Sequence, residues 1–366
     1  MKMRHLVKTM HATVLFAIVT TAIFSLVEGV SSITIVGREI MDRRSGGLHS
    51  RVHVQYDSLL GWVNIPERFF PNMYGPGMDL AINEQSLRNE DNMDPEVAQG
   101  RVRVLCVGDS FTLGIGVASR QTWCSLLEIL DDRLETYNFG EAGYGIGQAY
   151  LKFKRYSTNV QYDVIVFAFI KNDFLRMQDD RLFSLYPKPR MRVVEGRLAT
   201  ENVPVPMLSG SQRWLARNVS ALQQLRSVTL ASIITSRIFG ESRTEAGETD
   251  GGRALAMAIL QAVAEEATGK GARVLFVYLP DAARATTRAE EMWGSYVGAE
   301  LRSRQLPWLD LVARANHITL EQSDAMYDPD WFHYTEAGNS YVAEHVHDAL
   351  QGVLRHTGNA SPADVP

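Results

Sequence analysis

The feature that most restricts the fold is a series of short, predominantly apolar runs separated by helix-length stretches. Val102-Arg103-Val104-Leu105-Cys106-Val107 is the first, and Val164-Ile165-Val166-Phe167-Ala168-Phe169 is stronger still. Runs of this length, rich in β-branched and aromatic residues and without polar alternation, fit strands buried on both faces. Residues 102–107, 136–139, 162–169, 272–279 and 308–311 therefore predict strands, and 253–268, 289–304 and 341–354 predict helices. Strands alternating with helices specify an α/β domain around a parallel sheet. No internal repeat is visible. At 366 residues and 45% hydrophobic content, the chain can bury one such core and still carry insertions.

The ends of these runs carry the chemistry. The first runs straight into Gly108-Asp109-Ser110. A glycine there permits a tight turn and lifts the serine to the carboxyl edge of the sheet, where open α/β folds place their ligands. Much later, Asp330-Trp331-Phe332-His333 sets a carboxylate and an imidazole three residues apart, just ahead of the last helix. A serine hydroxyl is a poor nucleophile near neutral pH unless a base takes its proton, and histidine titrates in the right range. A carboxylate on the other ring nitrogen fixes the tautomer and stabilises the imidazolium. The pattern makes Ser110 the candidate nucleophile, His333 the candidate base and Asp330 its orienting acid. Two further segments offer donors to an oxyanion: the glycine-rich loop from Gly140 to Gly147, and Asn172 in Ile170-Lys171-Asn172-Asp173. One such donor is worth about 3–4 kcal/mol of transition-state stabilisation.

Gly108-Asp109-Ser110, the loop around Gly143, the Asn172-Asp173 pair and Asp330-x-x-His333 occur in the order of the four sequence blocks of the SGNH/GDSL hydrolases, and the chain resembles that family from Val102 to the C-terminal helix. The resemblance implies a flavodoxin-like three-layer α/β/α sandwich with a parallel central sheet. It implies Ser110 as nucleophile, His333 as base and Asp330 as its partner. The oxyanion hole would comprise the Ser110 amide, the Gly143 amide and the Asn172 side chain. One position departs from the pattern: the family usually has glycine two residues before the block-three asparagine, and here Ile170 stands there.

Other readings of the same residues fit less well. Gly143-x-Gly145-x-Gly147 is not the spacing of a dinucleotide fingerprint, and no acidic residue ends a following strand at the expected offset. Gly108-x-Ser110-x-Thr112 lacks the second glycine of the α/β-hydrolase nucleophile elbow. A formal net charge of −5 leaves no basic footprint for nucleic acid. No Cys/His cluster has zinc spacing, so neither a metal nor another cofactor is expected. The two cysteines, Cys106 and Cys124, read as small buried hydrophobes, with a disulfide between them as the alternative.

Lys2, Arg4 and Lys8 precede an uncharged stretch from Met10 to Val27, near the lower length limit for a membrane-spanning helix. Residues 1–33 read as an uncleaved signal anchor, with a cleaved signal peptide as the alternative. Either places the remainder outside the cytoplasm, in the periplasm or at the cell surface, or secreted after cleavage. Residues 34–100 form a turn-rich lead-in, expected as a strand or hairpin packed on the domain edge. Within it, Trp62 and Tyr74 read as packing residues, with a sugar-contacting role as the alternative. Residues 101–356 would be the hydrolase domain and 357–366 a loose tail. An insertion, about 174–250, opens with Pro187, Pro189, Pro204 and Pro206, which argues against regular structure there. Its second half, from Trp214 to Phe239, has approximate helical spacing: an amphipathic helix covering the sheet, or a lid over the site.

The expected function is serine-dependent hydrolysis of carboxylic esters, removing O-acyl, especially O-acetyl, groups from an extracytoplasmic carbohydrate or another acylated small molecule. An O-acyltransferase acting on a cell-envelope polysaccharide is the runner-up. A lipase or phospholipase, or a non-catalytic glycan-binding module, stands third.

Overall fold

The computed structural model describes residues 2–42, 53–182, 185–212, 226–227, 230–231, 234, 250–281, 288–329 and 332–355. The chain divides into two compact units. One comprises Met1–Ser50 with Gly210–Arg243, the other Arg51–Ser209 with Thr244–Pro366.

The second unit is built on five parallel strands. In chain order these are preceded by four short lead-in strands, β1 (Val54–Asp57), β2 (Gly61–Asn64), β3 (Arg68–Phe70) and β4 (Leu80–Ile82). The central sheet comprises β5 (Val102–Val107), β6 (Leu134–Asn138), β7 (Val164–Phe169), then β12 (Arg273–Tyr278) and β13 (Trp308–Asp310), the four intervening strands lying in the insertion between Arg181 and Glu201. Its spatial order is β6-β5-β7-β12-β13, all parallel. Counted along the chain this is the 2-1-3-4-5 order of flavodoxin-like sheets, whose topological switch lies between β5 and β7.

Alternation along each strand sorts the core onto two faces. Leu105, Val107, Ile165, Phe167, Val274 and Phe276 pack on one side, against helices α4 (Ile146–Tyr156), α6 (Asp250–Gly269) and α7 (Arg288–Ser303). Val104, Cys106, Val166, Ala168, Leu275 and Val277 face the other, against α3 (Trp123–Leu130) and a closing helix, α8 (Glu336–Arg355). That is the expected three-layer α/β/α sandwich. Each fully buried large apolar side chain contributes about 1.5–3 kcal/mol.

Cys106 on β5 and Cys124 on α3 form a disulfide, with Cα atoms 6.0 Å apart. The reading of two free buried thiols is therefore corrected. Strand alternation turns Cys106 toward α3, where Cys124 lies on the facing side of the helix. Both remain buried, so the bond rivets strand to helix inside the apolar layer.

The lead-in forms two antiparallel pairs, β1 with β2 and β3 with β4. Trp62 and Tyr74 are buried, at 5% and 6% exposure, so both pack within the protein and present no surface to a sugar. The first half of the insertion also differs from expectation. A helix, α5 (Lys171–Arg176), opens it, and two hairpins follow: β8 (Arg181–Leu182) with β9 (Tyr186–Pro187), and β10 (Arg190–Val194) with β11 (Arg197–Glu201). Prolines do not break these pairs because only Pro187 lies within a strand, and 190–201 contains none. Glu195 and Gly196, with φ of 51° and 74°, make the two-residue turn that suits hairpin twist.

In the first unit, helix α1 (Lys2–Asp42) contains a 25-residue window, Met10–Thr34, of mean hydropathy 2.0, long and apolar enough to cross a membrane. Glu28 on α1 accepts hydrogen bonds from the Arg226 and Ser227 amides. The stretch 214–239, read as covering the sheet or the site, belongs with α1 in this unit. Of it, only 226–227, 230–231 and 234 are described, and all are helical. The tail expected at 357–366 lies outside the described residues.

Candidate active site

The site sits at the switch point, at the carboxyl ends of β5 and β7. Gly108 is obligatory here, because a Cβ would collide with the Thr112 side chain and the Ala168 carbonyl of neighbouring β7. The chain then turns into α2 (Ser110–Leu113). Asp109 caps this turn, accepting from the Phe111 amide at 2.9 Å. Ser110 follows, largely buried, with Oγ 2.8 Å from His333 Nε2.

His333 is presented by a tight backbone loop. Asp328 N–H donates to His333 O at 2.8 Å, and Phe332 N–H to Asp328 O at 2.8 Å. Phe332 adopts φ of 54°, a left-handed conformation unusual for an aromatic residue. The ring of Phe111 packs against the imidazole, with centroids 4.7 Å apart and planes tilted by 36°. Tyr334, next in sequence, is buried and donates to Pro280 O at 2.6 Å, anchoring the loop to the end of β12. Asp330, the expected partner of the imidazole, lies outside the described residues.

Gly143 lies in the loop after β6 with φ of 77°, accessible at low cost only to glycine. The loop is held from behind by the lead-in. Trp62 Nε1–H donates to Ala142 O at 2.9 Å, and Tyr144 Oη–H donates to Trp62 O at 2.5 Å. Glu141 accepts from the Asn64 amide and pairs with Lys152 at 2.9 Å; both members of that ion pair are completely buried.

Asn172 lies on α5, half-buried, and donates from Nδ2 to Asp281 Oδ2 at 3.3 Å. The isoleucine at the position where glycine is usual does not obstruct it. Ile170 caps α5, its side chain packs into the apolar layer with Phe111 and Tyr334, and its amide donates to Asp173 Oδ2.

Two charged residues that sequence reasoning missed, Arg176 and Asp281, lie among these groups. Arg176 Nη1 lies 2.9 Å from Asp173 Oδ1, 3.4 Å from Asp109 Oδ2 and 3.2 Å from Tyr144 O. These three partners are the chain neighbours of Asn172, Ser110 and Gly143. Burial pushes the carboxyls of Asp109 and Asp173 above their ordinary range, and Asp109 raises Asp173 further; the guanidinium opposes both shifts. Asp281, just past the end of β12, is raised to about 7 by burial and by a hydrogen bond with Glu290. The signals were present: Arg176 follows Asp173 by about one helical turn, and Asp281 follows shortly after a strand at the edge where the site lies.

A hydroxyl in hydrogen-bonding reach of an imidazole, beside a left-handed glycine and a side-chain amide at one sheet edge, has the parts of acyl-transfer chemistry. The sequence profile of the GDSL-like lipase/acylhydrolase family matches residues 104–346. The chain belongs to that family and is a serine ester hydrolase. Among curated proteins, none matches the chain. Three solved structures resemble it at low identity. A lipolytic G-D-S-L protein of Veillonella parvula shares 13% identity over 69% of this chain and 99% of its own, at a TM-score of 0.40. The psychrotrophic esterase EstA from a Pseudoalteromonas species shares 12% over 69% and 99%, at 0.39. A family two carbohydrate esterase from Clostridium thermocellum shares 11% over 71% and 66%, at 0.36.

Proposed function

We infer that the protein removes short O-acyl groups, acetyl above all, from a carbohydrate outside the cytoplasm, through an acyl-enzyme on Ser110. The observation that carries the reading is the 2.8 Å approach of Ser110 Oγ to His333 Nε2. Ser110 Oγ attacks the ester carbonyl while its proton passes to Nε2. The negative charge that develops on the carbonyl oxygen falls to the Ser110 and Gly143 amides and the Asn172 side chain. As the carbonyl re-forms, the C–O bond to the alcohol breaks and His333 returns the proton to the departing oxygen. Water then attacks the acyl-enzyme, giving its proton to His333. Collapse breaks the bond to Oγ, which recovers the proton, and the acid leaves. Asp330 is assigned to the second ring nitrogen from the sequence pattern alone.

Three features support a polar, exported substrate. The rim beside Asn172 carries Lys171, Asp281 and Arg176, groups suited to hydroxyl-rich alcohols and costly to bury against a long acyl chain. The Cys106–Cys124 disulfide fits an oxidising compartment. Lys2, Arg4 and Lys8 ahead of the apolar window orient α1 with its start in the cytoplasm and the enzyme domain across the membrane.

The test is acetate release by the purified full-length protein from an O-acetylated oligosaccharide, alongside esters of lengthening acyl chain. Acetate released in step with loss of O-acetyl groups supports the reading. Acetyl groups recovered on an added acceptor sugar would make the protein an O-acyltransferase. Preference for long-chain esters would make it a lipase.

A further inference from the structure

We propose that Trp62, on lead-in strand β2, is a positioning residue of the oxyanion hole. It would hold the Ala142–Gly143 peptide so that the Gly143 amide faces the reacting carbonyl. Trp62 lies outside residues 104–346, the part of the chain that matches the family profile. The inference rests on the ester-hydrolase reading of the site given above.

The argument is geometric. The carbonyl of Ala142 and the amide of Gly143 belong to one planar peptide unit, and in a trans unit they point in opposite directions. Trp62 Nε1–H donates to that carbonyl at 2.9 Å, so the indole fixes the plane from behind and directs the amide away from itself. A hydrogen bond accepted by the carbonyl also polarises the unit and strengthens the amide as a donor. Gly143 needs this support because its φ of 77° lies where glycine moves freely and imposes no conformation of its own.

Trp62 grips the loop on both sides of Gly143. Its own carbonyl accepts from the hydroxyl of Tyr144, so residues 142 and 144 are each tied to one tryptophan. The indole meets the Tyr144 ring edge-on at 5.6 Å and that of Tyr186 at 6.5 Å. The strand behind it cannot retreat. Gly61 turns with φ of 85° against the Pro187 carbonyl, and Gln148 Nε2–H donates to Leu60 O at 2.9 Å. The lead-in hairpin is thus a rigid support for an oxyanion donor, and Trp62 is its point of contact.

Replacing Trp62 site-specifically with 3-benzothienylalanine, which exchanges only N–H for S, separates this role from packing, and Trp62→Phe serves as a second variant. With an aryl acetate, kcat is expected to fall by about tenfold or more, since losing a whole oxyanion donor costs about 10²–10³. KM should change less than threefold. Unchanged kcat in the isostere, even with a lowered Tm, would overturn the proposal and leave Trp62 a packing residue. A parallel reaction of the wild type with a fluorophosphonate separates the two kinds of failure. A wild type that neither reacts nor hydrolyses the ester would overturn the site reading and the role of Trp62 with it. An active wild type beside an equally active isostere would overturn the role of Trp62 alone.

Discussion

The imidazole of His333 lies 2.8 Å from the hydroxyl of Ser110, although 223 positions separate them in the chain. The switch between β5 and β7 opens the crevice in which Ser110 stands. The closing helix brings the histidine to it: Asn339 on α8 accepts from the Trp123 amide at 2.9 Å, locking that helix to the start of α3. If the two groups act as one unit, their losses will not add. His333→Ala should lower kcat/KM for an aryl acetate by about 10⁴–10⁶, and the double variant with Ser110→Ala should be no worse than either single one. Steady-state kinetics on the three variants measures this, and multiplicative losses would show that the pair does not act together.

Asp281 predicts a pH dependence of stability. Its folded pKa of about 7 lies above the ordinary carboxyl value, so the fold favours the protonated form. That contribution is fully present below the unfolded pKa and is lost as pH rises toward 7. Asp281→Asn keeps an acceptor for Asn172 and cannot ionise. Its Tm relative to wild type should therefore be higher at pH 8 than at pH 5, by several degrees, as a difference of a few kcal/mol requires. Thermal unfolding at the two pH values checks this; an equal offset at both would contradict the shift.

The disulfide closes a separation of 18 residues. Loop-closure entropy of that size is worth about 3 kcal/mol. Cys106→Ala with Cys124→Ala should lower the guanidinium midpoint accordingly, and reductant should lower that of the wild type but not of the variant. A wild type indifferent to reductant throughout its unfolding transition would mean the bond does not form.

Much of this was legible in the chain, for physical reasons. The runs of β5, β7 and β12 identify themselves because strands buried on both faces are predominantly apolar, Arg103 within β5 being buried while paired with Glu135, and β5 has its expected bounds, Val102–Val107. Ser110 and Asn172 stand out as candidates because each follows such a run, and His333 because it stands just ahead of the last helix. What was missed depends on partners distant in sequence. Nothing near Trp62 says that its indole meets Ala142 O, and nothing near Cys106 says that Cys124 faces it across a layer. The hairpins of 181–201 were hidden by counting prolines instead of locating them; the Glu195-Gly196 turn was the readable signal. Helix α5 escaped because six residues show too little periodicity.

The most direct measurement is covalent. The full-length protein, incubated with a fluorophosphonate and digested, should carry a single adduct on Ser110, and Ser110→Ala should carry none. An adduct on any other residue, or labelling of Ser110→Ala at the wild-type rate, would contradict the account.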